Sequence, residues 1–216
     1  MAQKATAPQT PAPQALALLE YASVSAGVAA VDRMLKESPV ALLRCGSVHP
    51  GRYLALVGGT VAATAVAHGA GAAVGCERNR LADEVLLPDP HPALAAAVMG
   101  ARAAPTGDAL GVVEMGSSPG LLRALDAVLK AVPVGLVEVR LADDLGGHAL
   151  AQIDGLIQDV QEALEMMTAA AGPRLVDTAL LPRLDDTLRD VLGAGTRFAA
   201  CAHRTPAGAE ILGGEV

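Results

Sequence analysis

Apolar and polar positions follow the same order twice along the chain, in residues 15–104 and again in residues 105–193. Each stretch opens with a short apolar run, Ala15–Tyr21 in the first and Ala109–Met115 in the second. Runs of this length and composition predict β-strands. The two stretches therefore predict two copies of one domain.

An alignment of residues 15–43 with residues 109–137, at an offset of 94, supports this duplication and gives eleven identities in twenty-nine positions. Shared alanines and leucines are expected in a chain so rich in both. Other shared residues are harder to attribute to composition, and Asp32/Asp126, Lys36/Lys130 and Pro39/Pro133 are three such pairs.

A helical period follows each first strand, because apolar residues recur at spacings of three and four. The apolar stripes consist of Val28, Val31 and Leu35 in the first copy and Leu122, Leu125 and Leu129 in the second. Ser118 is expected to cap the second of these helices, and Pro119 suits its first turn. Pro39 and Pro133 are expected to end the helices.

Two apolar strands joined by a polar, glycine-containing turn come next, within Val40–Thr60 and Val134–Gly155. The hairpins align at an offset of 96, which places Gly51 on Gly147, so the second turn carries two extra residues. The turn residues are Ser47, Val48, His49, Pro50, Gly51 and Arg52 in the first copy, and Asp143, Asp144, Leu145, Gly146, Gly147 and His148 in the second.

A second helix, a fourth strand and a short last helix complete each copy. In the first copy the second helix is expected over roughly Thr60–His68, closed by the glycines at 69, 71 and 75. Its counterpart places Ile157, Val160, Leu164 and Met167 on one side. The remaining elements are strands at Leu81–Leu87 and Leu175–Leu181 and short helices near Pro92–Met99 and Asp185–Leu192.

The order in each copy is β-α-β-β-α-β-α, and its first six elements are those of a ferredoxin-like fold. The predicted fold class is α+β, with a four-stranded antiparallel sheet and helices on one face in each domain. Residues 1–14, rich in Ala, Pro, Gln and Thr, predict a disordered arm, and residues 194–216 predict a loosely ordered tail.

Composition excludes some functions and qualifies the fold. The chain has 216 residues and a net charge of −7, and it has no basic cluster or aromatic platform, so we expect no nucleic-acid partner. With one Phe, two Tyr and no Trp, the core must be built from small side chains. Little apolar area is then buried per residue, so we expect each domain to depend on neighbours.

The cysteines and one uncharged segment bear on location. The three cysteines, at 45, 76 and 201, are scattered, which fits reduced thiols in a cytoplasm. Tyr53–Gly75 has no formal charge over twenty-three residues and is long enough to span a membrane. Its counterpart in the second copy contains Asp154, Asp159, Glu162 and Glu165, so we expect no membrane insertion.

The repeated pattern resembles a known family. ALALLE, VDRMLKESPVALL, GSVHPGRYLALVGG and LADEVLLPDPHP are followed by ALGVVE, LDAVLKAVPVGLV, LADDLGGHALAQIDG and LVDTALLPRL. This is similar to the unpermuted tandem-domain shell proteins of bacterial microcompartments, called BMC-T, over about residues 15–192.

The resemblance implies a structural protein without cofactors and not an enzyme. It implies a homotrimer whose six domains form a flat pseudohexameric tile in a microcompartment shell within the cytoplasm. The hairpin turns would line a central pore for small metabolites or cofactors. Other shell proteins would join at the tile edges, where the resemblance places Lys36, Lys130 and Arg183.

Two alternatives remain open from the residues. Three copies of His49 converging on a threefold axis would form a possible metal site, which would make the protein a metal- or iron–sulfur-binding electron relay. Cys45, which is expected to point into the sheet, does not suit a cluster on that axis. The second alternative is a trimeric ferredoxin-like regulator that binds a small ligand.

Two further interpretations concern charge and catalysis. Arg52 is expected to give positive potential for anionic metabolites, which Asp143 and Asp144 could offset. No catalytic motif is present, and Ser47 with His49 lacks the acid that would orient a dyad. The remaining histidines, at 68, 91 and 203, have no partner that the sequence identifies.

Overall fold

The computed structural model describes residues 13–197 and Cys201. The chain divides into two compact units, Met1–Ala95 and Ala96–Val216. The sequence predicts a boundary at residue 104, whereas residues 96–104 lie in the second unit. Within that unit the Ala103 amide donates to the Val137 carbonyl at 3.0 Å. Most of the predicted arm and tail lies outside the described residues.

Both units have the predicted order of elements. The first contains β1 (Ala15–Tyr21), α1 (Val24–Glu37), β2 (Ala41–Val48), β3 (Arg52–Gly59), α2 (Val61–Glu77) and β4 (Leu81–Pro88), and α3 (Pro92–Val98) follows across the boundary between the units. The second contains β5 (Ala109–Met115), α4 (Ser118–Ala131), β6 (Gly135–Leu141), β7 (Ala149–Gly155), α5 (Ile157–Ala171), a 3-10 turn (Gly172–Arg174), β8 (Leu175–Leu181) and α6 (Asp186–Ala194).

Each unit contains one four-stranded antiparallel sheet, in the order β2-β3-β1-β4 and β6-β7-β5-β8. This is the ferredoxin-like order, so the predicted fold is confirmed. All seven residues of β1 are buried, because this strand is paired on both edges and α2 packs on it. β2, at the sheet edge, is mostly exposed.

The strand register confirms that the second turn is two residues longer. Ser47 pairs with Tyr53 in the first hairpin, and Leu141 pairs with Ala149 at the same place in the second. The offset is therefore 94 before the turn and 96 after it. Both edge strands also carry a bulge at equivalent positions, between Leu42 and Arg44 and between Leu136 and Glu138.

The predicted apolar stripes are buried in one copy and partly exposed in the other. Leu122, Leu125 and Leu129 of α4 are all buried. In α1, however, Val28 is 52% exposed and Leu35 43% exposed. The helix is turned so that its small residues face the sheet, and its buried positions are Ala26, Gly27, Ala30, Val31 and Met34.

Two expectations about helix ends are wrong. The cap of α4 is Ser117, whose side chain accepts from the Gly120 amide at 3.0 Å, while Ser118 is the first helical residue. α2 does not end near His68 but continues to Glu77, with its glycines inside the helix. A glycine costs about 1 kcal/mol in a helix interior, so these positions need another reason.

For Gly71 and Gly75 that reason is close packing against large side chains. A Cβ at Gly71 would lie 2.3 Å from Met34 Cε and 3.0 Å from the hydroxyl oxygen of Tyr21, and one at Gly75 would lie 2.9 Å from Leu81 Cβ and 3.0 Å from the Tyr21 ring. Tyr21 is fully buried, and this burial raises the pKa of its hydroxyl. Cores are close-packed, so a bulky side chain on one element requires small ones on the element that faces it.

The second unit fills the same space with the sizes exchanged. Met115 stands in place of Tyr21, and Met167 and Ala171 stand in place of the two glycines. α1 and β3 show a second exchange: Gly27 lies under the ring of Tyr53, whereas the equivalents are Leu121 and Ala149. The two copies therefore share a fold but pack their cores differently. At these facing positions, a larger side chain in one copy is matched by smaller ones on the element that it packs against.

We expect Gly27→Ala to destabilise the protein by about 1–3 kcal/mol, because a Cβ there would lie 2.3 Å from the Tyr53 ring. Gly69→Ala is the matched control, since nothing lies within 4 Å of a Cβ at that helical position. It should be neutral or stabilise by up to about 1 kcal/mol. Thermal or urea unfolding of both variants measures the difference, and equal stability would contradict the packing account.

Candidate functional site: the two hairpin turns

The first turn is three residues long and exposed. β2 ends with Ser47 and Val48, and His49, Pro50 and Gly51 connect it to β3, with a cis peptide bond between His49 and Pro50. Gly51 has φ +73°, and nothing lies within 4 Å of a Cβ built on it. Glycine is therefore favoured at this position by the positive φ, and not by a lack of space for a side chain.

The second turn, residues 142–148, is longer and has an unusual backbone. Four of its residues have positive φ: Ala142 at 57°, Asp144 at 61°, Gly146 at 61° and Gly147 at 88°. Glycine adopts this region readily, but alanine and aspartate do so at a cost. Leu145, in the middle of the turn, is half-buried. Its carbonyl accepts a hydrogen bond from the His148 amide at 3.0 Å.

A buried carboxylate lies behind the first turn. Glu20 of β1 is 1% exposed and forms an ion pair with Arg52, the first residue of β3. Arg52 itself is 32% exposed. The expectation that Arg52 supplies positive potential to the turn needs correction, because most of its charge is balanced by Glu20.

The second unit repeats this arrangement in a weaker form. Glu114 is the equivalent of Glu20, and His148 is the equivalent of Arg52. The His148 Nδ1 and a Glu114 carboxylate oxygen are 3.9 Å apart, and both side chains are more than 40% exposed. A basic side chain next to a glutamate of the central strand, β1 or β5, is thus present at the base of both turns.

The two aspartates of the second turn share one arginine, which offsets one of their two charges. Arg197, from the segment after α6, contacts Asp144 and lies 3.0 Å from a carboxylate oxygen of Asp143. Arg140 of β6 donates to the main-chain carbonyl of Asp143 at 3.1 Å. The contact at Arg197 contrasts with the loose order expected from residue 194 onward.

His49 is exposed at the tip of the first turn. Within residues 13–197 and Cys201, no group of three or more His, Cys, Asp or Glu side chains is placed to hold a metal ion. Cys45, on the edge strand β2, is exposed. A hydrogen bond between Cys45 and Tyr53, together with burial, raises the pKa of the Tyr53 hydroxyl to about 12.

Comparison with known proteins decides the family. The model of the BMC domain family matches residues 15–90 and 109–184, more than half of the chain. The chain belongs to the BMC domain family. It is 32% identical over 177 residues to the bacterial microcompartment shell protein PduT of Citrobacter freundii, covering 81% of this chain and 95% of that one.

Two further comparisons agree. The carboxysome assembly protein CcmO of Synechocystis sp. is 28% identical over 200 residues, covering 86% of this chain and 67% of that one. The crystal structure of a microcompartment protein from Desulfitobacterium hafniense DCB matches with a TM-score of 0.71 and 31% identity, covering 82% of this chain and 98% of that one. The chain is thus a shell protein with two BMC domains in tandem, and its family is structural, not enzymatic.

The lysines expected at tile edges occupy equivalent places in both BMC domains. Lys36 Nζ lies 2.7 Å from Asp32 Oδ2, and Lys130 Nζ lies 2.7 Å from Asp126 Oδ2, one helical turn earlier in each case. Asp32 is 62% exposed and Asp126 is 10% exposed. The identical charged residues at an offset of 94 are therefore an i, i+4 pair that is formed in each domain.

Other predicted positions have diverged between the BMC domains. Arg183 is exposed after β8, and its counterpart Asp89 is exposed after β4. His68, for which the sequence identifies no partner, has its Nε2 3.5 Å from a carboxylate oxygen of Glu84. His91 Nδ1 accepts from the Ala93 amide at 3.3 Å, and His203 lies outside the described residues.

No helix within the described part of the chain is long and apolar enough to cross a membrane. The uncharged segment noted in the sequence is half strand and half helix, since β3 ends at Gly59 and α2 begins at Val61.

Sequence reasoning missed the two glutamates at the base of the turns. Glu20 and Glu114 are among the eleven identities, and each is a charged residue in an otherwise apolar strand. A carboxylate placed in a central strand needs a cation, so this signal was present. Arg197 carried no such signal, because its partners lie more than fifty positions away.

We expect Arg52→Gln to destabilise the first BMC domain by about 1–3 kcal/mol, because it leaves the buried Glu20 carboxylate without its cation. His148→Gln is the matched control and should cost less than about 1 kcal/mol, because its pair with Glu114 is exposed. Urea unfolding at neutral pH compares the two. A cost at position 148 as large as that at position 52 would contradict the role of burial.

Proposed function

We propose that three copies of the chain form a flat pseudohexameric tile, with both kinds of turn around a central pore that passes small polar metabolites. The observation that carries this proposal is the pair of polar turns at one topological position in two BMC domains of a shell protein. A cyclic trimer of a two-domain chain has near-sixfold shape and threefold identity, so the short and the long turn would alternate around the hole.

An uncovered apolar stripe on α1 supports association with another copy. Val24, Val28 and Leu35 lie at spacings of four and seven on one side of this helix and are 42%, 52% and 43% exposed. The equivalents of Val28 and Leu35 on α4, Leu122 and Leu129, are buried. Contiguous apolar side chains of this kind mark protein–protein contacts.

The charges near the turns favour passage of polar molecules over anions. Arg52 is paired with Glu20, and Arg197 offsets one of the two charges of Asp143 and Asp144. The exposed turns also present the hydroxyl of Ser47, the imidazole of His49 and main-chain amides and carbonyls. Such a lining offers hydrogen bonds together with a small net negative field.

A cross-linking experiment tests the trimer and the position of the turns together. In a background with Cys45, Cys76 and Cys201 replaced by Ser, His49→Cys should cross-link between chains with a short bismaleimide. The physical reason is that three copies of this turn would surround one axis. The matched control is Asp89→Cys, because Asp89 follows Pro88, which pairs with Ala15 at the end of the sheet away from the turn.

The mass of the denatured protein after treatment with the cross-linker shows whether chains have been joined. Native mass spectrometry gives the number of 21.7 kDa chains in the complex. We expect three chains and cross-linking at position 49 but not at position 89 in dilute solution. A monomer, or equal cross-linking at both positions, would remove the basis of the proposal.

We further expect Lys36→Ala combined with Lys130→Ala to leave trimers intact but to abolish assembly into sheets. The side chains of Lys36 and Lys130 are 70% and 42% exposed, so their ammonium groups remain available at the surface. Electron microscopy of the concentrated protein detects the sheets. Arg33→Ala, an exposed cation on the same helix as Lys36, is the control and should still form them.

A further inference from the structure

The segment that follows α6 returns to the second turn. Thr196 Oγ1 donates to Glu138 Oε2 at 2.8 Å, and Arg140 Nη1 donates to Thr196 Oγ1 at 3.2 Å. Glu138 is 5% exposed and also pairs with Arg102. Thr196 is thus fixed to β6 by a buried carboxylate whose second oxygen is already bound.

The next residue reaches the turn itself. The two Nη atoms of Arg197 contact one carboxylate each, Nη1 on Asp144 and Nη2 on Asp143 at 3.0 Å. These contacts raise the pKa of Arg197, which therefore stays charged. A planar guanidinium that engages two groups at once fixes geometry as well as charge.

Two features of the second turn are unfavourable, and the contact with Arg197 would offset both. Asp143 and Asp144 are adjacent carboxylates that repel each other, and both are exposed. Ala142 and Asp144 also have left-handed backbone conformations, which are costly for residues other than glycine. Neither feature is present in the first turn, where the residue with positive φ is Gly51.

The contact network is specific to the second domain. By the register of the edge strands, Glu138 corresponds to Arg44 and Arg140 corresponds to Gly46. The first domain therefore lacks both the carboxylate that fixes Thr196 and the arginine that holds the turn carbonyl. The device distinguishes two turns that are otherwise equivalent in topology.

We propose that Thr196 and Arg197 form a clamp that holds the second turn in its left-handed conformation and offsets one of its two aspartate charges, and so sets the ion preference of the pore. The second part of this inference rests on the proposed function. Release of the clamp changes the net charge of Asp143, Asp144 and Arg197 from −1 to −2 per chain at the turn. Release therefore strengthens the negative field of the lining and its preference for cations.

The first measurement follows the conformation of the turn and needs no pore. In Arg197→Gln, amide hydrogen exchange over residues 142–148 should become at least about tenfold faster, because the opening cost of the turn falls. Arg197→Lys keeps the positive charge but cannot contact both carboxylates as the guanidinium does. Amide exchange over residues 142–148 in this variant should therefore be faster than in wild type and slower than in Arg197→Gln. The first turn, residues 49–52, is the internal control and should not change.

The second measurement follows charge. In planar bilayers containing the purified full chain, the ratio of K⁺ to Cl⁻ permeability should rise several-fold in Arg197→Gln, by roughly the effect of one uncompensated charge per chain at a narrow opening. Adding Asp144→Asn to Arg197→Gln restores the wild-type net charge of −1 at these three positions and should return the ratio to that of wild type. Exchange in that double variant should stay fast.

The outcomes separate the clamp from the pore. Unchanged exchange in Arg197→Gln overturns the clamp. Faster exchange without any conductance, in wild type or variant, supports the clamp and overturns the pore. Faster exchange with conductance but an unchanged permeability ratio overturns the assignment of ion preference to Arg197.

Discussion

The ion pair between Glu20 and Arg52 links the core of the first domain to its exposed turn. β1 is paired on both edges and buried throughout, so a glutamate at position 20 is placed where an unpaired charge would be very unfavourable. Arg52 is the cation that satisfies it, at the first residue after the turn. The path of the hairpin at this point is therefore set by the requirement to neutralise a buried carboxylate.

The second domain keeps the same chemistry at lower strength. Its glutamate and histidine are exposed, and the pair is 3.9 Å apart, so it constrains the hairpin less. A turn lengthened by two residues lies beside it. The contact of Arg197 supplies, from outside the hairpin, a constraint that the first turn obtains from Arg52 of its own strand. Arg140 of β6 adds a hydrogen bond to the turn from within the hairpin.

Duplication with divergence explains why two domains on one chain are useful in a shell protein. Each domain can change its turn and its core independently, as the exchange of Tyr21 and glycine for Met115 and Met167 illustrates. A protein made of identical domains has identical turns. Two domains in tandem allow a short and a long turn to exist in fixed proportion.

Much of the candidate site could be predicted because it depends on local signals. The turns were located by glycines and by the change of offset between strands, and the register confirms both. The burial of α1 could not be predicted, because the residues facing the sheet are alanine and glycine. Val28 and Leu35 gave the stronger hydrophobic signal, although both side chains are exposed in the structure.

The sequence by itself determined the duplication, the order of strands and helices, the fold class and the position of the two turns. These follow from periodicity and turn residues, which are properties of neighbouring positions. Only the tertiary structure decided which charges are neutralised, because the partners of Arg52 and Arg197 are 32 and more than fifty residues away. Pairing across such distances depends on how strands and the terminal segment are brought together, and no local pattern records it.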